Sequence, residues 1–164
     1  MRFAPIARAL SGIALAALLL VMLAGGGSAQ TVRPSVPGDL DLVKMVRMAM
    51  IAVHHANFTG NYTVLRDLGT PGFAKRNSAA RLAEVFRNWR RPDRNLDAVL
   101  VLNPQWLAKP IVDGQGLLRL KGYFLTTPVR VRFDMIFRPV EGRWRLDGIS
   151  LGTFLPPERG RARR

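Results

Sequence analysis

His54 and His55 are the only imidazoles in this 164-residue chain, and Tyr62 stands eight residues beyond the first of them. An imidazole titrates near neutral pH and a phenol can donate a proton, so His54 and Tyr62 are the residues open to acid–base work. The same stretch carries Met45, Met48 and Met50, whose flexible thioethers would make an adaptable apolar wall. Met45, His54 and Tyr62 are therefore the candidate lining of a ligand pocket. Metal binding is not expected. Adjacent histidines on a helix point about 100° apart and cannot chelate one ion side by side. No third imidazole or carboxylate stands three or four residues from either.

Other chemistries are excluded or unsupported. The chain has no cysteine, which removes disulfides, thiolate metal sites, a cysteine nucleophile and a lipid-anchored bacterial export signal. Ser78 and Ser150 lack the spacing of a nucleophile elbow, and no glycine-rich phosphate loop follows a strand. No cofactor is implied. Asn57-Phe58-Thr59 and Asn61-Tyr62-Thr63 match the glycosylation pattern, which matters only in a eukaryotic secretory pathway.

The elements that would carry these residues are legible from hydrophobic period. Asp39 or Asp41 is expected to cap a helix over about 40–56, with Leu42, Val46, Ala49, Met50 and Val53 as its main stripe. Met45, Met48 and Ile51 make it apolar nearly all round, which predicts a mostly buried helix. Asn57–Gly60 reads as a break and Tyr62–Leu68 as a short helix stopped by Gly69-Thr70-Pro71-Gly72. Asn77 or Ser78 should cap a helix over about 77–90 whose Leu82, Val85, Phe86 and Trp89 share one face, with Pro92 ending it. Leu96–Leu102 is a strand candidate. Trp106–Val112 should pair with the next strand through the turn Asp113-Gly114-Gln115-Gly116.

Three runs with a period of two then follow, near 117–126, 129–139 and 142–153. Leu118, Leu120, Gly122 and Phe124 oppose Arg119, Lys121 and Tyr123. Val129, Val131, Phe133, Met135 and Phe137 oppose Arg130, Arg132, Asp134 and Arg138. Trp144 and Leu146 oppose Arg143, Arg145 and Asp147. Successive strand side chains face opposite ways, so this is a meander with one dry face and one basic, wetted face. Helices followed by antiparallel strands define an α+β domain, with N-terminal helices packed on a curved, mainly antiparallel sheet ending in that meander.

Charge and termini suggest a compartment and partners. Arg2 and Arg8 precede an uncharged apolar run over 9–24, then Gly25-Gly26-Gly27 and small residues to Ala29. That order is a secretory signal peptide over 1–29 with cleavage near Ala29/Gln30 and an exported, periplasmic or secreted product. A linker over 30–39, a domain over 40–155 and a basic tail over 156–164 follow. Subtracting Arg2 and Arg8 from the net charge of +14 leaves +12, and the tail holds four arginines against Glu158. Arg119, Lys121, Arg130, Arg132, Arg138, Arg143 and Arg145 form a candidate face for an anionic lipid, polymer or acidic protein. Export and the lone aromatic Tyr123 on this face argue against nucleic acid. Like charges laid face to face repel, so a monomer or weak dimer is expected.

The order of a long apolar helix, Asn61-Tyr62 with Leu65 and Leu68, the Ser78–Trp89 helix and a meander closing on Gly142-Arg143-Trp144-Arg145-Leu146 resembles the nuclear transport factor 2-like superfamily of cystatin-like cones. The resemblance covers about 40–154. It implies a cone whose open end holds a small ligand and a habit of dimerising through the sheet, but no particular activity. Cone-fold enzymes such as ketosteroid isomerase place an acidic base beside a tyrosine inside the cone. Here Tyr123, Asp134 and Asp147 alternate onto the outer face, and no carboxylate joins His54 or Tyr62. The expectation is therefore a non-enzymatic exported binding or accessory domain for a small apolar ligand or an anionic partner. The alternative is an isomerase- or dehydratase-type enzyme using His54 or Tyr62.

Overall fold

The computed structural model describes residues 34–91, 94 and 96–155. The expected signal segment and basic tail lie outside the described residues. Among the described residues no helix is long and apolar enough to cross a membrane.

Helix α1 spans Asp39–Thr59 and ends on Gly60, whose left-handed backbone (φ 75°) lets its N–H return to the Ala56 carbonyl at 2.8 Å. Neither aspartate caps it: Gly38 is the cap and has no side chain to offer. Asp39 and Asp41 fall inside the first turn, where their negative charge favourably complements the positive end of the helix dipole. The stretch Asn57–Thr59 read as a break continues the helix instead. Leu42, Val46, Ala49, Met50 and Val53 are buried as their spacing requires. The second stripe departs from expectation, because Met48 is 56% exposed and Met45 and Ile51 are only half-buried.

Three short helices follow: α2 (Thr63–Asp67), α3 (Pro71–Arg76) and α4 (Ala79–Val85). The sequence reading took Gly69–Gly72 as a stop. The structure uses it as a start, with the Thr70 hydroxyl accepting from the Phe73 amide at 3.0 Å and Pro71 in the first turn. Ser78 caps α4 as expected, accepting from Arg81 at 3.1 Å. The chain then tightens into a 3-10 turn over Arg87–Arg90. Leu96–Leu102 is not a strand: Asp97–Leu100 forms a second 3-10 turn. Arg47 on α1 secures that turn, donating to the carbonyls of Leu100 (2.9 Å) and Leu102 (3.1 Å) and to Asn103 Oδ1 (2.9 Å).

The sheet comprises β1 (Gln105–Trp106), β2 (Ile111–Val112), β3 (Leu118–Phe124), β4 (Arg130–Val140) and β5 (Arg143–Phe154), all antiparallel. Both β1 and β2 pair with β3, one beyond the other, so they are two pieces of a single interrupted edge. The Asp113 turn is tied by the Asp113 carboxylate, which accepts from the amides of Gln115 and Leu117 and from Arg119. The fold is α+β, with a curved open sheet carrying the expected meander. Phe133, Phe137, Phe86 and Leu82 are buried in one core, and Trp144 packs against it half-buried. At Gly122 an added Cβ would lie 2.4 Å from the Phe133 ring and 2.4 Å from the Gln105 carbonyl oxygen. Only glycine lets that aromatic lie across β3.

The far edge, β5, is bridged at Leu146. Thr70 donates its amide to the Leu146 carbonyl at 2.8 Å, and Gly69 bridges Leu146 in parallel. This contact pins the start of α3 to the sheet.

Candidate functional site

The three candidate pocket residues do not converge. Tyr62 is buried in the core, stacked on Phe86, and its hydroxyl donates to Asn57 Oδ1 at 2.6 Å while Asn57 donates to the Trp89 carbonyl. Burial pushes this phenol up and Arg90 only partly offsets that. Such a tyrosine is a structural donor with its proton already placed. His54 lies elsewhere, in a cleft it shares with Asn57 and Phe58 of α1 and with Trp89, Arg90 and Leu96. Its Nδ1 is 3.5 Å from Asp97 Oδ1, but the Asp97 side chain is 65% exposed. A buried acid beside His54 or Tyr62 would favour the enzyme alternative, and the acid found is in water.

Met45 lies on the side of α1 turned to α2 and the β4–β5 hairpin. Three adjoining hollows open there, of about 350, 360 and 460 Å3, and all three are lined by Met48. The first runs over Met45, Leu68, Phe137, Trp144 and Leu146. The second continues along Ile51, Ala52, His55 and Val64 to Asn61. The third leads out past Pro37 and Lys44. From Met45 to Thr59 the helix rises about 21 Å, so the hollows form a groove of that order. Val64 at its rim is 62% exposed. Arg143 and the Lys44–Asp41 ion pair (3.3 Å) stand at one end, Asp67 and Arg145 lie beside Leu68, and His55, Thr59 and Asn61 are at the other end. Sequence reasoning offered the methionines as a pocket wall but expected their helix to be mostly buried. The cue it lacked was that α2 is too short to cover them.

The basic face is unequally committed. Arg119 pairs with Asp113 (2.7 Å), Lys121 with Asp134 (3.0 Å) across β3 and β4, and Arg138 with Asp147 (3.2 Å). The Asp113 carboxyl is held below its ordinary range, chiefly by the Leu117 amide and also by Arg119. Arg145 belongs to the framework: its guanidinium donates to the carbonyls of Gly69 (2.9 Å) and Asp67. Asp147, expected on the outer face, sits at a bulge where β5 slips one residue against Ile136/Phe137. The bulge turns it toward α3, where its carboxylate accepts from the Thr70 hydroxyl at 2.6 Å. Among the described residues Arg130, Arg132 and Arg143 have no ion-pair or hydrogen-bond partner. Among these residues, too, no group of three or more potential ligands is placed to hold a metal, and no buried side-chain polar atom is left unsatisfied.

Compared with known proteins, the chain matches no family model, no curated protein and no solved structure. The site is therefore read from its own geometry.

Proposed function

We propose that this is an exported binding domain that takes a single-chain anionic amphiphile, such as a long-chain fatty acid, in the groove beside α1. The observation that carries this reading is the run of three hollows sharing the half-exposed Met48, lined mainly by apolar side chains, with the unpaired Arg143 beside two of them. Covering exposed apolar surface is favourable at about 25 cal/mol per Å2, which makes the groove a sink for a hydrocarbon chain. Arg143, which no carboxylate neutralises among the described residues, faces the head group. Nuclear transport factor 2-like ancestry and a monomeric state are part of the same reading, supported by the order of elements and the charge of the sheet face. This reading puts the ligand on the helical flank of the domain and not at its centre, where Tyr62, Met50, Phe86 and Phe133 are buried.

Titration with palmitate, followed through the fluorescence of Trp144 in the groove, tests this. Met48→Glu should weaken binding at least about tenfold, since a carboxylate would be buried against the chain. Its melting temperature should stay near that of the parent, because the side chain is mostly in water. Arg143→Gln should weaken palmitate about fivefold, near the upper value for an exposed ion pair, and leave an uncharged alcohol of the same length unaffected. Palmitate binding that ignores Met48→Glu would overturn the assignment.

A further inference from the structure

The end of the sheet where β3 leaves, β4 enters and β5 finishes carries a second feature, separate from the groove. Register places Phe124 opposite Val131 and Val131 opposite Thr153, so Leu125, Arg130 and Phe154–Leu155 emerge at one corner. Leu125 is 46% exposed and Leu155 74%. Beside them on the outer face, Tyr123 and Phe154 meet edge to face at 5.6 Å. Arg130 lies opposite Phe154, and Arg132 lies between Tyr123 and Gly152. The Arg132 guanidinium rests over Gly152, within 3.2 Å of where a Cβ would stand, so a side chain there would displace it. Arg119, Lys121, Arg138 and Arg145 are held by Asp113, Asp134, Asp147 or backbone carbonyls, whereas these two arginines, like Arg143 at the opposite end of the hairpin, have no partner among the described residues.

We propose that this corner docks the protein on a bilayer bearing anionic head groups. Both halves of the chemistry point to lipid rather than to a soluble polyanion. Arginines can pair with phosphate oxygens at the surface, while Leu125 and Leu155 reach the acyl boundary and the two aromatic rings sit at the level between. A soluble polyanion would engage the arginines and have no use for the leucines.

Co-sedimentation of the full chain with vesicles of mixed phosphatidylglycerol and phosphatidylcholine, against pure phosphatidylcholine, tests the assignment. Binding should require phosphatidylglycerol and weaken as salt rises. R130Q/R132Q should lower the partition coefficient about 25-fold, and R130K/R132K should restore most of it because head groups respond to charge. L125S/L155S should weaken vesicle binding severalfold while retention on heparin stays unchanged. M48E should bind vesicles like the parent, which separates this surface from the groove. The proposal is overturned if R130Q/R132Q binds as the parent does, which would assign the attraction to residues 156–164. It is equally overturned if L125S/L155S leaves vesicle binding intact, which would make this a general polyanion face.

Discussion

Replacing Phe133 by alanine is expected to lower the stability of the domain by about 3–5 kcal/mol, the range for truncating a well-packed phenylalanine. The upper half of that range is expected here for a local reason. Phe133 is 1% exposed and lies between Phe124, 5.6 Å away, and Trp106, whose ring meets it edge-on at 6.1 Å. Its third neighbour is Gly122, directly opposite in register, which has no side chain to move into the space left behind. The Gln105 carbonyl on the adjoining strand restrains the backbone there as well. A cavity that cannot collapse retains its full cost. Denaturant unfolding of parent and variant would show the difference as a lower midpoint at an unchanged slope. A loss below about 1.5 kcal/mol would mean that the aromatic cluster repacks, contrary to the tight fit at Gly122.

The residues of that cluster also show where the sequence was legible. A period of two survives translation into structure almost intact, because one slipped residue would turn every aromatic of β4 into water. The three long strands, their faces and the Asp113 turn follow from it. Short apolar runs carry no such constraint. Leu96–Leu102 fits a strand by composition and becomes a 3-10 turn because Arg47, fifty residues earlier in sequence and more, collects its carbonyls. Thr70-Pro71 was legible in principle: threonine before proline is a start signal, and the flanking glycines masked it. The groove was not legible. Periodicity reports that Met45, Met48 and Ile51 are apolar, but whether another element covers them depends on the five-residue length of α2. The basic face was legible as a set of side chains and not as a set of partners. The bulge after Leu146 re-aims Asp147, and Arg145 is drawn to the edge segment at Asp67–Gly69.

Asp147 gives the second large effect. It joins the β5 bulge to the start of α3, and Asp147→Ala is expected to cost about 1.5–3 kcal/mol at neutral pH, the range for hydrogen bonds to a charged group. Thr70 is 2% exposed, and its hydroxyl oxygen accepts from Phe73 while its proton goes to Asp147. Without the carboxylate that buried proton has no acceptor, and Arg138 and Arg76 lose the charge they share. Burial pushes the Asp147 carboxyl up, but the Thr70 hydroxyl and Arg138 together outweigh it, and the net shift is down from the ordinary 3.8. A carboxyl depressed in the folded state contributes stability that is complete above its unfolded value and is lost as pH falls through the lower, folded one. The parent should therefore lose stability below about pH 4, and part of that loss should disappear in Asp147→Asn, which keeps the shape and an acceptor but cannot titrate. Asp113 titrates in both proteins and cancels from the comparison. Thermal melts of the two from neutral pH into the acid range decide the matter. Parallel decline of parent and Asp147→Asn across that range would show that the carboxylate charge holds nothing, and that Asp147 serves only as a neutral acceptor for Thr70.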